Sequence, residues 1–104
     1  MDFAKAKELM KLQQEIAKVQ KELSNTHVEA EADGFVITID CQLKVVESKV
    51  EKQELLKDQA KLEAAVVAAT NKGLKKAQEI AATKMRSVAQ QMGIDLPDQL
   101  PGMG

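Results

Sequence analysis

The side chains that most often perform catalysis or bind metals are scarce in this chain. There is one histidine, His27, and one cysteine, Cys41. His27 lies on the polar side of an alternating segment, as an exposed residue does, and Cys41 ends the apolar side of the next segment, where a small buried side chain is typical. A single cysteine excludes an internal disulfide, and no group of cysteines and histidines has zinc-ligand spacing. The sequence therefore predicts no catalytic residue, no metal site and no cofactor, and we do not expect an enzyme.

The abundant reactive side chains are basic, and they fall into two sets. Fifteen lysines and arginines stand against sixteen acidic residues, so the net charge is -1 and binding to a polyanion requires local clustering. Two helical segments carry these sets on faces opposite their apolar stripes. The first set is Lys7, Lys11, Lys18 and Lys21, and the second is Lys72, Lys75, Lys76 and Arg86, with Lys84 displaced from it. Each set is either a solvated face or a phosphate-binding surface.

Aromatic residues are nearly absent, and this limits both the ligand and the core. The chain has two phenylalanines and neither tyrosine nor tryptophan. With so few aromatic rings to stack on unpaired bases, binding to duplex phosphates is favoured over binding to single strands. The core must consist of aliphatic side chains and alanines.

The first basic set belongs to a predicted helix from Asp2 to about Ser24. No glycine or proline interrupts this segment, and Asp2 is a plausible N-cap. Apolar residues recur at alternating spacings of three and four, which is typical of a coiled-coil seam. These residues are Leu9, Leu12, Ile16, Val19 and Leu23.

Residues 26–48 change to a period of two and predict three antiparallel strands. THVEAEAD reads as a strand with one face in water, and a turn at Asp33-Gly34 leads into the strongly alternating FVITID. A third strand over Leu43–Ser48 follows a connection near Cys41-Gln42 that lacks a typical turn sequence. Such a sheet has one apolar face that needs a cover.

A second, longer helix is predicted from about Asp58 to Gly93, after a short turn containing Leu55 and Leu56. Its predicted apolar stripe is Val67, Leu74, Ala81, Met85, Val88 and Met92. The stretch EAAVVAATNKGLKKAQEIAATKM (63–85) is so rich in small residues that it buries little area, so it must lie very close to another element or bind a partner outside the chain. Gly73 also predicts a close backbone approach.

The chain length of 104 residues predicts one domain, over 1–93, followed by a flexible tail over 94–104 that is rich in proline and glycine. The N-terminal sequence is charged from its second residue and has no apolar signal region. No apolar run of about 18 residues is present. We therefore expect a cytoplasmic protein without a membrane span.

These segments together resemble the YbaB/EbfC family of nucleoid-associated proteins. The long helix is similar to that of the family in its valine and alanine cluster, a following asparagine, a basic pair before alanine, a glutamate, and a Lys-Met pair. The matching positions are Val67, Ala68, Ala69, Asn71, Lys75, Lys76, Ala77, Glu79, Lys84 and Met85. ELMKLQQEIAKVQKEL and DGFVITID resemble the first helix and second strand of the family. The likeness spans about residues 5–92, with Asp40-Cys41-Gln42 in place of an Asn-Gly turn and Thr70 in place of an aromatic residue.

The resemblance implies an α+β fold, with a helix, a three-stranded antiparallel sheet and a long C-terminal helix, in a tweezer-like homodimer that binds duplex DNA in the nucleoid. The implied DNA-binding residues are Lys5, Lys7, Lys11, Lys75, Lys76, Lys84 and Arg86. The implied dimer interface is Leu9, Leu12, Ile16, Phe35, Ile37, Ala65, Ala69 and Gly73. Contacts to phosphates would dominate, with weak sequence specificity.

A second hypothesis from another class remains open at this point. In this hypothesis the chain is a small structural or adaptor protein whose helices pair with other proteins, without binding DNA. A DNA-binding protein must bring its lysines together on one surface, whereas an adaptor can leave them among glutamates.

Overall fold

The computed structural model describes residues 3–93, and the predicted N-cap Asp2 and the predicted tail lie outside this range. The α+β fold class is confirmed. The elements in order are α1 (Phe3–Ser24), β1 (His27–Ala32), β2 (Phe35–Asp40), β3 (Val45–Val50) and α2 (Gln59–Gln91). A 3₁₀ turn at Gln53–Lys57 precedes α2. The Asp58 side chain caps α2 by accepting a hydrogen bond from the Lys61 amide at 3.1 Å.

The first hairpin agrees with the sequence pattern. β1 and β2 pair antiparallel with Ala30 opposite Ile37. Asp33 and Gly34 have φ angles of 51° and 96°, and both must be positive in the tight turn whose twist suits a two-residue hairpin. The alternation then places Ala30, Ile37 and Ile39 on the buried face of the sheet.

The second hairpin begins later than predicted, because a side chain forms its turn. One carboxylate oxygen of Asp40 accepts hydrogen bonds from the amides of Gln42 and Lys44 at 2.9 and 3.0 Å. Leu43 adopts a positive φ of 71° inside this turn. Residues 41–44 are therefore used by the connection, and β3 starts at Val45 instead of Leu43.

Helix α2 crosses the sheet at very close range through small side chains. The buried face of this part of α2 repeats every four residues: Ala65, Ala69, Gly73, Ala77 and Ala81. A Cβ atom added to Gly73 would lie 2.8 Å from Ile39 Cδ1 and 3.4 Å from Ile37 Cγ2. The close approach predicted at Gly73 is therefore present, and the element that approaches is the sheet of the same chain.

Burial within one chain corrects part of the predicted interface between copies. Five of the proposed interface residues lie in the core between α2 and the sheet: Phe35, Ile37, Ala65, Ala69 and Gly73. Their side chains already have partners in their own protomer, so no exposed surface is left there for a second copy. The predicted apolar stripe of α2 is also wrong at Val67, which is 61% exposed because the alanine row faces the sheet.

Helix α2 covers β1 and β2 but makes few contacts with β3. Every residue of β3 is exposed except the half-buried Val50. The register places Val45 opposite Ile39, on the side of the sheet that faces α2, yet Val45 is 50% exposed. The third strand thus leaves part of the apolar face of the sheet open.

Helices α1 and α2 pack antiparallel to form an arm. Val19 and Leu23 of α1 are buried, and Leu12 lies beside Met92 at the far end of the pair. The molecule is correspondingly elongated, with extents of 66 × 23 × 19 Å.

The contact at Gly73 gives a stability prediction. Gly73→Ala gains helix propensity of about 1 kcal/mol but overpacks the buried contact with Ile39 at a cost of about 1–3 kcal/mol, so we expect net destabilisation of about 1 kcal/mol. Urea unfolding at fixed protein concentration measures the change. Ile39→Val removes the clashing Cδ1 atom, so the double variant should be more stable than the sum of the two single effects predicts. A stabilised Gly73→Ala protein would contradict the close contact.

Candidate nucleic-acid interface

Charge is segregated between the helices and the sheet. Helix α1 carries five lysines against three glutamates, and α2 carries six basic residues against two glutamates. Residues 27–50, which hold the sheet, carry five acidic residues against two lysines. The overall charge of -1 therefore hides two basic helices and an acidic sheet.

The outer face of the sheet has no helix over it within the described residues. Glu29 and Glu31 of β1 and Glu47 of β3 are exposed on this face, beside the half-buried Thr38. Lys49 of β3 lies on the same face, opposite Val36 of β2. Phosphates are repelled from such a surface, so a polyanion can approach favourably only along the helices.

The predicted α1 residues Lys5, Lys7 and Lys11 are all exposed and lie within two helical turns. Lys5 and Lys11 line an open groove of about 960 Å³ where α2 ends, with Gln91 and Met92 on the opposite wall. Glu8 and Glu15 share this groove and reduce its positive charge. Lys5 and Lys11 therefore form the first basic group that the structure brings together, whereas Lys7 projects from another side of α1.

The second group lies on α2 above β1. Lys75 and Lys76 are both exposed. The Lys76 ammonium lies 3.5 Å from the backbone oxygen of Glu29, and that of Lys72 lies 3.3 Å from the backbone oxygen of Glu31. Lys72 and Lys76 therefore reach over the outer edge of β1, a role that the sequence pattern did not predict.

The two remaining predicted residues are tied into the protein. Lys84 forms a salt bridge of 2.8 Å with Glu22 of α1, and Arg86 is half-buried. The ammonium of Lys84 donates to the Glu22 carboxylate and lowers the pKa of that carboxyl below its ordinary value of 4.5. Lys84 thus links α1 to α2 before any ligand is present.

The two exposed lysine groups are separated along the arm. Lys11 lies next to the end of α2, and Lys75 lies 17 residues before Met92, which is about 25 Å along the helix at 1.5 Å per residue. A duplex has one phosphate every 3.4 Å along each strand, so this distance corresponds to roughly seven phosphates. The lysines form two patches on one elongated surface and not a single pocket.

His27 and Cys41 are not arranged for catalysis. His27 is exposed at the start of β1, whereas Cys41 is 2% exposed and its amide donates to the backbone oxygens of Leu23 and Thr26. Burial, with a smaller contribution from the adjacent Asp40 charge, raises the pKa of the Cys41 thiol, so the nucleophilic thiolate is disfavoured. Among residues 3–93, no group of three or more metal-ligating side chains comes together.

The exposure of β3 was not predicted, although the sequence contains a signal for it. Val45 and Val46 are consecutive, and two adjacent valines cannot both lie on the buried side of a regular strand. The register shifts between Thr38 and Ile39, so Val46 is an extra residue in the ladder. Both valines are about half exposed, at 50% and 47%.

No helix in the part of the chain that the structure describes is long and apolar enough to cross a membrane.

Comparisons with known proteins identify a family and agree with the fold. The sequence model of the YbaB/EbfC DNA-binding family matches residues 2–92. A nucleoid-associated protein of the bacterium Dictyoglomus thermophilum is 38% identical over 104 aligned residues, covering 97% of this chain and 95% of the relative. One from Syntrophobacter fumaroxidans is 33% identical, covering 97% and 94%. The crystal structure of an uncharacterized protein from Helicobacter pylori has the same fold, with a TM-score of 0.70 and 18% identity over 88% of this chain and 97% of that one.

The Glu22–Lys84 salt bridge predicts a pH-dependent contribution to stability. Because the folded pKa of Glu22 is lowered, the contribution is present above its ordinary value of 4.5 and is lost as the pH falls through the lower folded value. We expect Glu22→Gln to lower Tm at pH 7, and this difference from the parent should shrink below pH 4.5. Both partners are partly exposed, so added salt should reduce the difference as well. Glu47→Gln on the open sheet face is the control, and an equal pH-dependent loss in both variants would contradict the assignment.

Proposed function

This chain belongs to the YbaB/EbfC DNA-binding family, and we propose that it binds duplex DNA of the bacterial nucleoid as a homodimer, mainly through phosphates and with weak sequence specificity. The family is one of DNA-binding proteins and not of enzymes, and the relatives from Dictyoglomus and Syntrophobacter are named nucleoid-associated proteins. The observation that carries the proposal is the segregation of charge. Lysines are exposed along the arm, and carboxylates are exposed on the open face of the sheet.

Phosphate contact follows from the kind of side chain that the arm offers. Lysine presents a compact charge on a flexible stem, which suits phosphate binding and does not form the planar fork that reads guanine. Arg86 is the one arginine of the chain and is half-buried, so α2 has no fully exposed arginine for a bidentate contact to guanine. Binding without such contacts is weakly specific, and a duplex that spans both lysine groups would meet about 25 Å of the arm.

The homodimer has support in the exposed apolar surface beside β3. Val45 is half exposed on the α2 side of the sheet, and Val66 of α2 is 36% exposed. A second copy that covered these residues would complete the layer that α2 leaves open, and a two-fold axis is the commonest symmetry for such pairs. Leu9, Leu12 and Ile16 of the arm, which are not fully buried, remain proposed interface residues.

The adaptor alternative keeps one observation in its favour. Leu9 is 61% exposed on the arm, and exposed leucines on a heptad seam suit helix pairing with another protein. A salt titration with duplex DNA decides between the two functions.

A salt titration with duplex DNA tests the proposal. The affinity for duplex DNA, measured by mobility shift, should fall steeply as the salt concentration rises. The slope of log K against log salt should be about -0.9 for each phosphate neutralised. The Lys75→Ala, Lys76→Ala double variant should bind every duplex more weakly and with a slope smaller in magnitude by about 2 per protomer. The matched control is Lys44→Ala, Lys49→Ala, which removes the same charge from the acidic sheet region and should leave the slope nearly unchanged. Absence of any salt-sensitive shift at low ionic strength would exclude DNA binding and favour the adaptor.

Light scattering tests the homodimer. The parent at micromolar concentration should have twice the chain mass of 11.4 kDa. Val45→Lys should shift the population towards the monomer with an unchanged circular dichroism spectrum, because lysine at an exposed strand position harms only an interface that covers it. Glu47→Lys lies on the same strand but on the opposite face, and it should remain dimeric. A monomeric parent would remove the homodimer from the proposal.

A further inference from the structure

Two large apolar side chains project from α1 on a side that no other element of the described residues covers. Phe3 is 79% exposed and Met10 is 60% exposed. They are seven residues apart, so they point in nearly the same direction and lie about 10 Å apart along the helix. The residues of α1 that line the groove against the end of α2 include Leu9 and Leu12 and do not include this pair.

The first turns of α1 extend beyond the end of α2. Helix α2 ends at Gln91, and residues Gln91–Gly93 lie beside Leu9 and Leu12 across the groove. The two helices are antiparallel, so Phe3 lies further out than any residue of α2. A lone helix is about 10–12 Å across with its side chains, and the major groove of B-DNA is about 12 Å wide. Within residues 3–93 the tip of the arm is a single helix and is slender enough to enter a major groove, which a pair of packed helices is not.

The charge near Phe3 and Met10 indicates which kind of ligand this surface binds. Lys7 lies between Phe3 and Met10 along α1 and projects within about 60° of both, so a cation adjoins the apolar pair. The N-terminal end of a helix adds a partial positive charge at the same place. An apolar pair beside a cation complements a groove whose walls are phosphates and whose floor offers apolar methyl groups, and in duplex DNA those methyl groups belong to thymine.

We propose that the outer face of the α1 tip lies in the DNA major groove, where Phe3 and Met10 contact thymine C5-methyl groups while Lys7 binds phosphate. This inference rests on the proposed function and adds a preference for A·T-containing duplexes. The preference is modest, because burying one methyl group changes affinity by only about fourfold. It needs no hydrogen-bonding fork and leaves phosphate contacts as the main source of affinity.

Replacement of thymine by uracil tests the contact, since uracil lacks the C5-methyl group and keeps the same pairing and charge. Fluorescence anisotropy would compare two duplexes of one A·T-rich sequence, one with thymine and one with uracil throughout. The parent should bind the thymine duplex about fourfold more tightly or better, with the same salt slope for both duplexes. The Phe3→Ala, Met10→Ala variant should bind both duplexes equally, and its exposed substitutions to a good helix former should preserve the circular dichroism spectrum.

Two further variants separate this contact from general effects. Lys7→Ala should weaken binding to both duplexes equally and keep the thymine preference. Leu56→Ala removes a similarly exposed apolar side chain, 64% exposed in the 3₁₀ turn, and should keep the preference as well.

If the parent binds both duplexes equally with a normal salt slope, Phe3 and Met10 contact something other than thymine, such as a lipid or a protein. The inference then fails while the proposed function stands. A preference that survives in the Phe3→Ala, Met10→Ala variant also overturns it, and no salt-sensitive binding to either duplex overturns both proposals.

Discussion

The close contact between α2 and the sheet is the constraint on which the rest of the molecule depends. Small residues at every fourth position, centred on Gly73, allow the helix backbone to lie against Ile37 and Ile39 without large side chains between them. A helix held so close covers a narrow strip of sheet, which is why α2 covers β1 and β2 and leaves β3 open. Because α2 is 33 residues long, about 50 Å, it also extends well past the sheet, where α1 packs on it to form the arm.

The same geometry explains why opposite charges lie in different places. A helix that uses a narrow stripe for packing leaves most of its circumference in water, and lysines and glutamates can occupy it freely. The sheet is covered on one side only, so the polar residues of its strands collect on the other side, where glutamates predominate. The salt bridge between Glu22 of α1 and Lys84 of α2 joins the two helices at the base of the arm.

The elements were predictable from the sequence because their periods are strong, whereas their partners were not. The pattern indicated a close approach at Gly73, but helical periodicity does not say whether the approaching element is a sheet or a second copy. The start of β3 depends on the Asp40 carboxylate accepting from two amides, an interaction that no hydrophobic pattern reports. The exposure of Lys7 and Lys11 followed from amphipathicity, whereas Lys5 was named only through the resemblance to the family. The pairing of Lys84 with a residue on another helix could only come from the three-dimensional structure.

The two edges of the sheet are not equivalent, and this bears on how many chains can join through strands. The lysines that reach across β1 to the backbone oxygens of Glu29 and Glu31 obstruct strand addition there, whereas no side chain of residues 3–93 reaches across β3 in this way. A sheet that is open at both edges can add copies without limit and grow into a fibre. A sheet with one obstructed edge becomes self-terminating, because a pairing through β3 buries the available edge of both copies at once and leaves only obstructed edges outside.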